Sequence, residues 1–222
     1  MEEMNAIAYF NRGIDYAGEG DIERAIADFS ESIRLDSNDA DSYCMRGEMY
    51  RGKEDFARAI EDFKKSIQLD PNKALAHFLL GMAYDQQGDK ESSISEMNCT
   101  LAVDPNHIDA LKYRGLAYGK KMQYDSAIAD FSRIIKLDSN NVDAYSARGY
   151  TYFRMKQWEK AIADYSKAIA LGSDEVNDYY FRGDAYRNTG QKELARADLE
   201  KALQMNPAHK GAQASLKAVM SS

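Results

Sequence analysis

Apolar residues recur at intervals of three and four along the chain, as in Ile60, Phe63 and Ile67 and again in Ile128, Phe131 and Ile135. That spacing puts them on one stripe of an α-helix, so the pattern predicts amphipathic helices. Breakers separate the stripes. The stretches "LDPNKA", "VDPNHI" and "MNPAHK" each hold a proline, which cannot continue a helix interior. Shorter linkers such as "QQGDKE" divide the remaining runs. Helices joined by loops this short must pack antiparallel against their neighbours.

The stripes also repeat. Glycine stands at Gly13, Gly47, Gly81, Gly115, Gly149 and Gly183, always 34 residues apart, and three places later comes Tyr16, Tyr50, Tyr84, Tyr118, Tyr152 or Tyr186. Twelve places after each glycine is a small residue, Ala25, Ala59, Ser93, Ala127, Ala161 or Ala195, followed by isoleucine everywhere except Arg196. Six units result, over 6–39, 40–73, 74–107, 108–141, 142–175 and 176–209, each predicted to be a helix-turn-helix pair. A glycine inside a helix costs about 0.5–1 kcal/mol relative to alanine. Its recurrence therefore predicts close helix approach against the small residue, with the tyrosine filling the adjoining gap.

Composition narrows the function. With 222 residues, 44% hydrophobic and 29% charged, the chain can bury a sizeable core. A net charge of −7 argues against sequence-independent nucleic-acid binding, which needs a basic stripe. The charge is uneven: residues 1–39 carry three Lys/Arg against ten Asp/Glu, and residues 108–141 carry six against four. No window approaches eighteen apolar residues and "MEEMNAIAYF" does not resemble a secretory leader, so neither a membrane span nor export is expected. Cys44 and Cys99 suggest neither a disulfide framework nor a four-ligand metal site, and the expected setting is reducing and cytoplasmic. His77, His107 and His209 show no metal-ligand spacing, and there is no nucleophile motif or phosphate loop. No enzyme, metal or cofactor is expected.

In period, small-residue places and late proline, the chain resembles the tetratricopeptide repeat (TPR) proteins. The resemblance implies an all-α, right-handed α-solenoid superhelix of antiparallel helix pairs, here a single array over residues 1–222. The family's early tryptophan is replaced by Tyr9, Tyr43, His77, Leu111, Tyr145 and Tyr179, and its late proline is kept only as Pro71, Pro105 and Pro207. A common leucine before the glycine is retained as Leu80 but is otherwise Arg12, Arg46, Arg114, Arg148 and Arg182. Each unit also carries an acid, Asp28, Asp62, Glu96, Asp130, Asp164 or Asp198, so a ladder of Arg–carboxylate pairs within or between units is expected. After residue 209, Ala212, Leu216 and Val219 form a stripe opposite Lys210, Gln213 and Lys217, which predicts a capping helix over 210–220.

The resemblance also implies a concave groove lined by the first helix of each pair. Its candidates are Phe10, Ile14, Met45, Glu48, Arg51, Phe78, Leu79, Met82, Lys112, Tyr113, Leu116, Tyr150, Phe153, Arg154, Tyr180, Phe181 and Arg187. The partner-binding candidates among them are Phe78, Met82, Lys112, Tyr113, Leu116, Tyr150, Phe153, Arg154, Phe181 and Arg187. The best-supported cluster is Tyr113, Leu116, Tyr150, Phe153 and Phe181, flanked by Lys112, Arg154 and Arg187, because binding energy concentrates on aromatic and arginine anchors. The two-carboxylate clamp of chaperone-binding members is not reproduced. Its best register here reads Lys112, Leu116, Ala147, Asn177 and Phe181, and only Lys112 matches. The expectation is a non-catalytic adaptor for a protein or peptide segment with apolar anchors, with no nucleic acid or membrane as partner. The alternative is a self-associating assembly module, a homo-oligomer.

Overall fold

The computed structural model describes residues 4–221, which form thirteen helices and no strand. Six pairs follow the predicted frames. They are α1 (Ala6–Gly18) with α2 (Ile22–Leu35), α3 (Ala40–Gly52) with α4 (Phe56–Leu69), α5 (Ala74–Gln87) with α6 (Lys90–Val103), α7 (Ile108–Lys120) with α8 (Tyr124–Leu137), α9 (Val142–Arg154) with α10 (Trp158–Ala170), and α11 (Val176–Asn188) with α12 (Lys192–Met205); α13 (Lys210–Met220) follows. The described chain divides into two compact units at Tyr113/Arg114, inside α7.

Within a pair the helices are antiparallel, as three contacts between α1 and α2 show. Ser32 Oγ donates to the Ala6 carbonyl, Arg12 reaches Asp28, and the Arg24 guanidinium covers the Tyr16 ring. The core is a file of small and aromatic side chains along the second helices. Ala25, Phe29, Ala59 and Phe63 are wholly buried in the first unit, and Ala127, Ala161, Tyr165, Ala195 and Leu199 nearly so in the second.

The recurring glycines serve close approach, but not quite as predicted. A Cβ on Gly47 would stand 2.8 Å from the Phe63 ring and 3.2 Å from the Ala59 carbonyl oxygen. The space is taken by the second helix's aromatic ring. The tyrosine three places on stacks on arginine instead, as Tyr50 does on Arg58 and Tyr16 on Arg24.

The arginine ladder is present in five repeats. Arg12 grips Asp28, Arg46 Asp62, Arg114 Asp130, Arg148 Asp164 and Arg182 Asp198, each through Nε and Nη2 at 2.6–2.8 Å. Three of these arginines also donate to a serine of the preceding repeat: Arg46 to Ser30, Arg148 to Ser132 and Arg182 to Ser166. The pairs thus lie within repeats, and the spare Nη1 ties neighbouring repeats together. In the third repeat Leu80 takes the arginine's place, and Glu96 is met by His77.

Candidate functional site

The first helices end in a short turn whose backbone recurs with the repeat. Gly20, Glu54, Gly88, Met122, Lys156 and Gly190 all lie in the left-handed region, φ between 58° and 86°. This turn fixes where the last residues of each first helix point, and in the second unit they frame a hollow.

That hollow, about 320 Å³, is lined by Gly115, Leu116, Gly119 and Lys120 of α7, Phe131 of α8, and Ala147, Tyr150, Thr151 and Arg154 of α9. Its apolar character comes from small residues between larger ones. Nothing lies within 4 Å of where a Gly119 side chain would begin, while Leu116 and Tyr150 are 41% and 40% exposed on either side. Cationic ends stand at the rim: Lys120 is exposed, and Arg154 donates from Nη1 to Tyr150 Oη at 3.1 Å. The Arg154 guanidinium also lies 5.8 Å from the centroids of both Tyr124 and Tyr150. The tyrosine rings and the shared hydroxyl hold this cation at the mouth.

Behind Tyr150 is an aromatic cluster. Phe181 sits 5.1 Å from Tyr150, 4.9 Å from Phe153 and 4.8 Å from Tyr180, centroid to centroid, and lies nearly parallel to the buried Tyr165 ring at 6.1 Å. Phe153 in turn meets Trp158 edge-on. These rings brace the pocket wall, since offset and edge-to-face aromatic pairs add stability beyond area burial. Burial beside Asp178, Tyr150 and Asp164 raises the Tyr165 hydroxyl far above the ordinary phenol range, desolvation being the larger cause, so it stays neutral.

Of the sequence candidates, Leu116, Tyr150 and Arg154 line the hollow, with Phe153 and Phe181 behind it. Arg187 is engaged elsewhere: it donates to the buried Asp184 at 2.8 Å, which also accepts from Ser215. In the first unit Phe78 packs against His107 at 4.7 Å and Tyr113 at 5.8 Å, while Met45 and Met82 are half-buried against the Phe63–Leu80 core. Lys112 lies on the same helix as Tyr113. Phe10 is half-buried against Phe29, and Ile14 is exposed. Leu79, expected in the groove, is buried, because the core closes over it. Glu48 and Arg51 are tied to each other by two bonds of 2.7 Å. Cys44 is wholly buried, and desolvation pushes its thiol up to about 12, which removes it as a nucleophile.

Sequence reasoning passed over Gly119, Lys120 and Ala147. The signal for Gly119 was there: it stands at the place held by Arg51, Phe153 and Arg187 in other repeats. A glycine where other repeats carry a large side chain leaves room.

Among the described residues no helix is long and apolar enough to cross a membrane. No curated protein matches the sequence. Solved structures do match. The crystal structure of YrrB, described as a TPR protein with an unusual peptide-binding site, has TM-score 0.78 at 20% identity, over 85% of this chain and 97% of that one. A MamA structure gives TM-score 0.69 at 29% identity over 72% and 94%. Pseudomonas aeruginosa pilF gives 0.80 at 14% over 96% and 97%. Family models described as tetratricopeptide repeat match residues 6–39, 74–107, 108–141, 142–174 and 179–209, and one described as TPR repeat matches 47–88. With models spread over all six frames and TPR structures overlying most of the chain, this protein belongs to the tetratricopeptide repeat family.

Proposed function

We propose that the chain is a non-catalytic adaptor whose second unit receives a partner segment in the hollow between α7 and α9. One apolar side chain of the partner enters between Leu116 and Tyr150, and a neighbouring carboxylate meets Lys120 and Arg154. The observation that carries this reading is the pocket: about 320 Å³, apolar, floored by Gly115, Gly119 and Ala147, and rimmed by two cations. Volumes of roughly 300 Å³ and above are those of ligand pockets, and this one sits at the small end, the size of a single large side chain. The family supports the same direction, since TPR proteins bind protein or peptide partners and the fold is in general non-catalytic. Two free thiols suit a reducing, cytoplasmic location.

The test is selection from a displayed random-peptide library on the intact chain. Wild type is expected to enrich sequences with a leucine or aromatic residue next to aspartate or glutamate. Gly119→Leu fills the hollow from an open helical position, where leucine is also the better helix former. It is expected to weaken the selected peptides more than tenfold while circular dichroism stays unchanged. Equal binding to both chains would remove the pocket from the account. Mass that rises with concentration, together with no enriched peptide, would favour self-association instead.

A further inference from the structure

The third repeat solves the ladder problem differently. Leu80 replaces the arginine, Glu96 the aspartate, and His77 stands one turn before Leu80 on α5. His77 Nδ1 lies 2.7 Å from Glu96 Oε2, and Nε2 lies 3.2 Å from the Pro71 carbonyl oxygen. A carbonyl oxygen only accepts, so Nε2 carries a hydrogen. Nδ1 then meets the carboxylate oxygen at hydrogen-bond distance, with one proton shared between them. Cys99, one turn beyond Glu96 on α6, brings a third donor. The nearest ligand atoms of His77, Glu96 and Cys99 all lie within 4.8 Å of one another.

We propose that His77 Nδ1, a Glu96 carboxylate oxygen and Cys99 Sγ bind a zinc ion, joining α5 to α6 at the rung where the Arg–Asp pair is missing. The mixed nitrogen, oxygen and sulfur set is one zinc accepts and one that magnesium and calcium, with their preference for oxygen, do not. Tetrahedral zinc with bonds of roughly 2.0–2.3 Å needs its ligand atoms about 3.4–3.6 Å apart. The His77–Glu96 gap of 2.7 Å therefore opens by under 1 Å, and the sulfur moves in from at most 4.8 Å, both within reach of side-chain rotation. The Pro71 carbonyl does what an outer partner of a metal-bound histidine commonly does, fixing the tautomer that leaves the other nitrogen free to ligate. Charge also closes. A neutral imidazole, a carboxylate and a thiolate balance Zn²⁺, and the protons displaced are the thiol's and the one shared between His77 and Glu96. Glu96 and Cys99 are only half-buried, so a water would complete the fourth position.

The experiment is titration of the chelator-stripped, reduced chain with Zn²⁺ and, separately, Co²⁺. One ion per chain is expected at micromolar or lower free metal, and the cobalt form should show thiolate-to-cobalt charge transfer in the near ultraviolet. Cys99→Ser changes a half-exposed residue, so the fold persists. It should abolish that band and weaken zinc more than tenfold. His77→Tyr, the residue at this place in four other repeats, should weaken zinc likewise. Cys44→Ala should leave the band in place. No stoichiometric zinc, or zinc binding unchanged by Cys99→Ser, overturns the proposal.

Discussion

A single arginine in this protein does three jobs. Arg148 places two parallel hydrogen bonds on Asp164, a third on Ser132 of the previous repeat, and its plane near Tyr145 and Tyr152. Asp164 is 6% exposed, so without its partner it becomes a buried uncompensated charge. Removing one partner of a buried pair costs about 3–5 kcal/mol, whereas replacing both with apolar residues can be nearly neutral. Solvent reaches part of this arginine, so Arg148→Leu is expected to cost about 3 kcal/mol in urea unfolding. Arg148→Leu with Asp164→Leu should cost clearly less than the sum of the single changes. Additive losses would mean that the pair is not coupled. The ladder was legible in the sequence because arginine and acid recur in fixed frames, and a period of 34 leaves few alternatives for which meets which. The third rung was not legible, because His77 occupies the tyrosine place and lies outside the frame of the arginines.

At the scale of the helix, the two units start their second helices differently. Asp21, Asp55 and Asp89 cap α2, α4 and α6, their carboxylates accepting from the backbone N–H three residues on. Gln123, Gln157 and Gln191 stand at the same place for α8, α10 and α12 and make no side-chain cap bond. Hydrogen bonds hold the capping carboxylates below their ordinary range, chiefly from the backbone for Asp21 and Asp89 and from the Arg58 side chain for Asp55. A carboxylate lowered on folding contributes its stability fully above its unfolded value, about 4, and loses it as pH falls through the folded one. Gln157→Asp is therefore expected to raise stability by about 1 kcal/mol at pH 7, with the gain shrinking as pH falls below the unfolded value. Thermal unfolding of both chains above and below that value reads this directly, and a gain undiminished at the lower pH would rule out the charged cap. The helices were legible from period and breakers, and their frames agree with the observed pairs. What the period concealed was the turn between them: Glu54, Met122 and Lys156 take a left-handed backbone that only glycine advertises in a sequence.

At the scale of the whole chain, repeats stand or fall by their neighbours, and an end repeat has one fewer. The sixth repeat is covered by α13 through the stripe of Ala212, Leu216 and Val219. Ala212 and Val219 are buried with Leu199 and Ala202 of α12, and Tyr179, Tyr180 and Tyr186 of α11 pack against the same cluster. The backbone of α13 comes close enough that a Cβ on Gly211 would meet the Tyr180 ring at 2.8 Å, and Ser215 Oγ completes the shell of the buried Asp184 at 2.7 Å. The pocket was less legible than this end because it depends on what is missing: Gly119 and Ala147 make it by being small, and aromatic and arginine anchors point only to large side chains. Removing α13 takes away the cover of Leu199 and one partner of Asp184, both within the second unit. A chain ending at residue 209 is thus expected to lose amide-exchange protection in α11 and α12 by at least about tenfold, with α1 to α4 unchanged. Ser215→Ala, which removes the hydrogen bond and keeps the apolar cover, should lower protection only slightly. Were the truncated chain to lose protection evenly along its length, stability would be global, and nearest-neighbour stacking would not describe this protein.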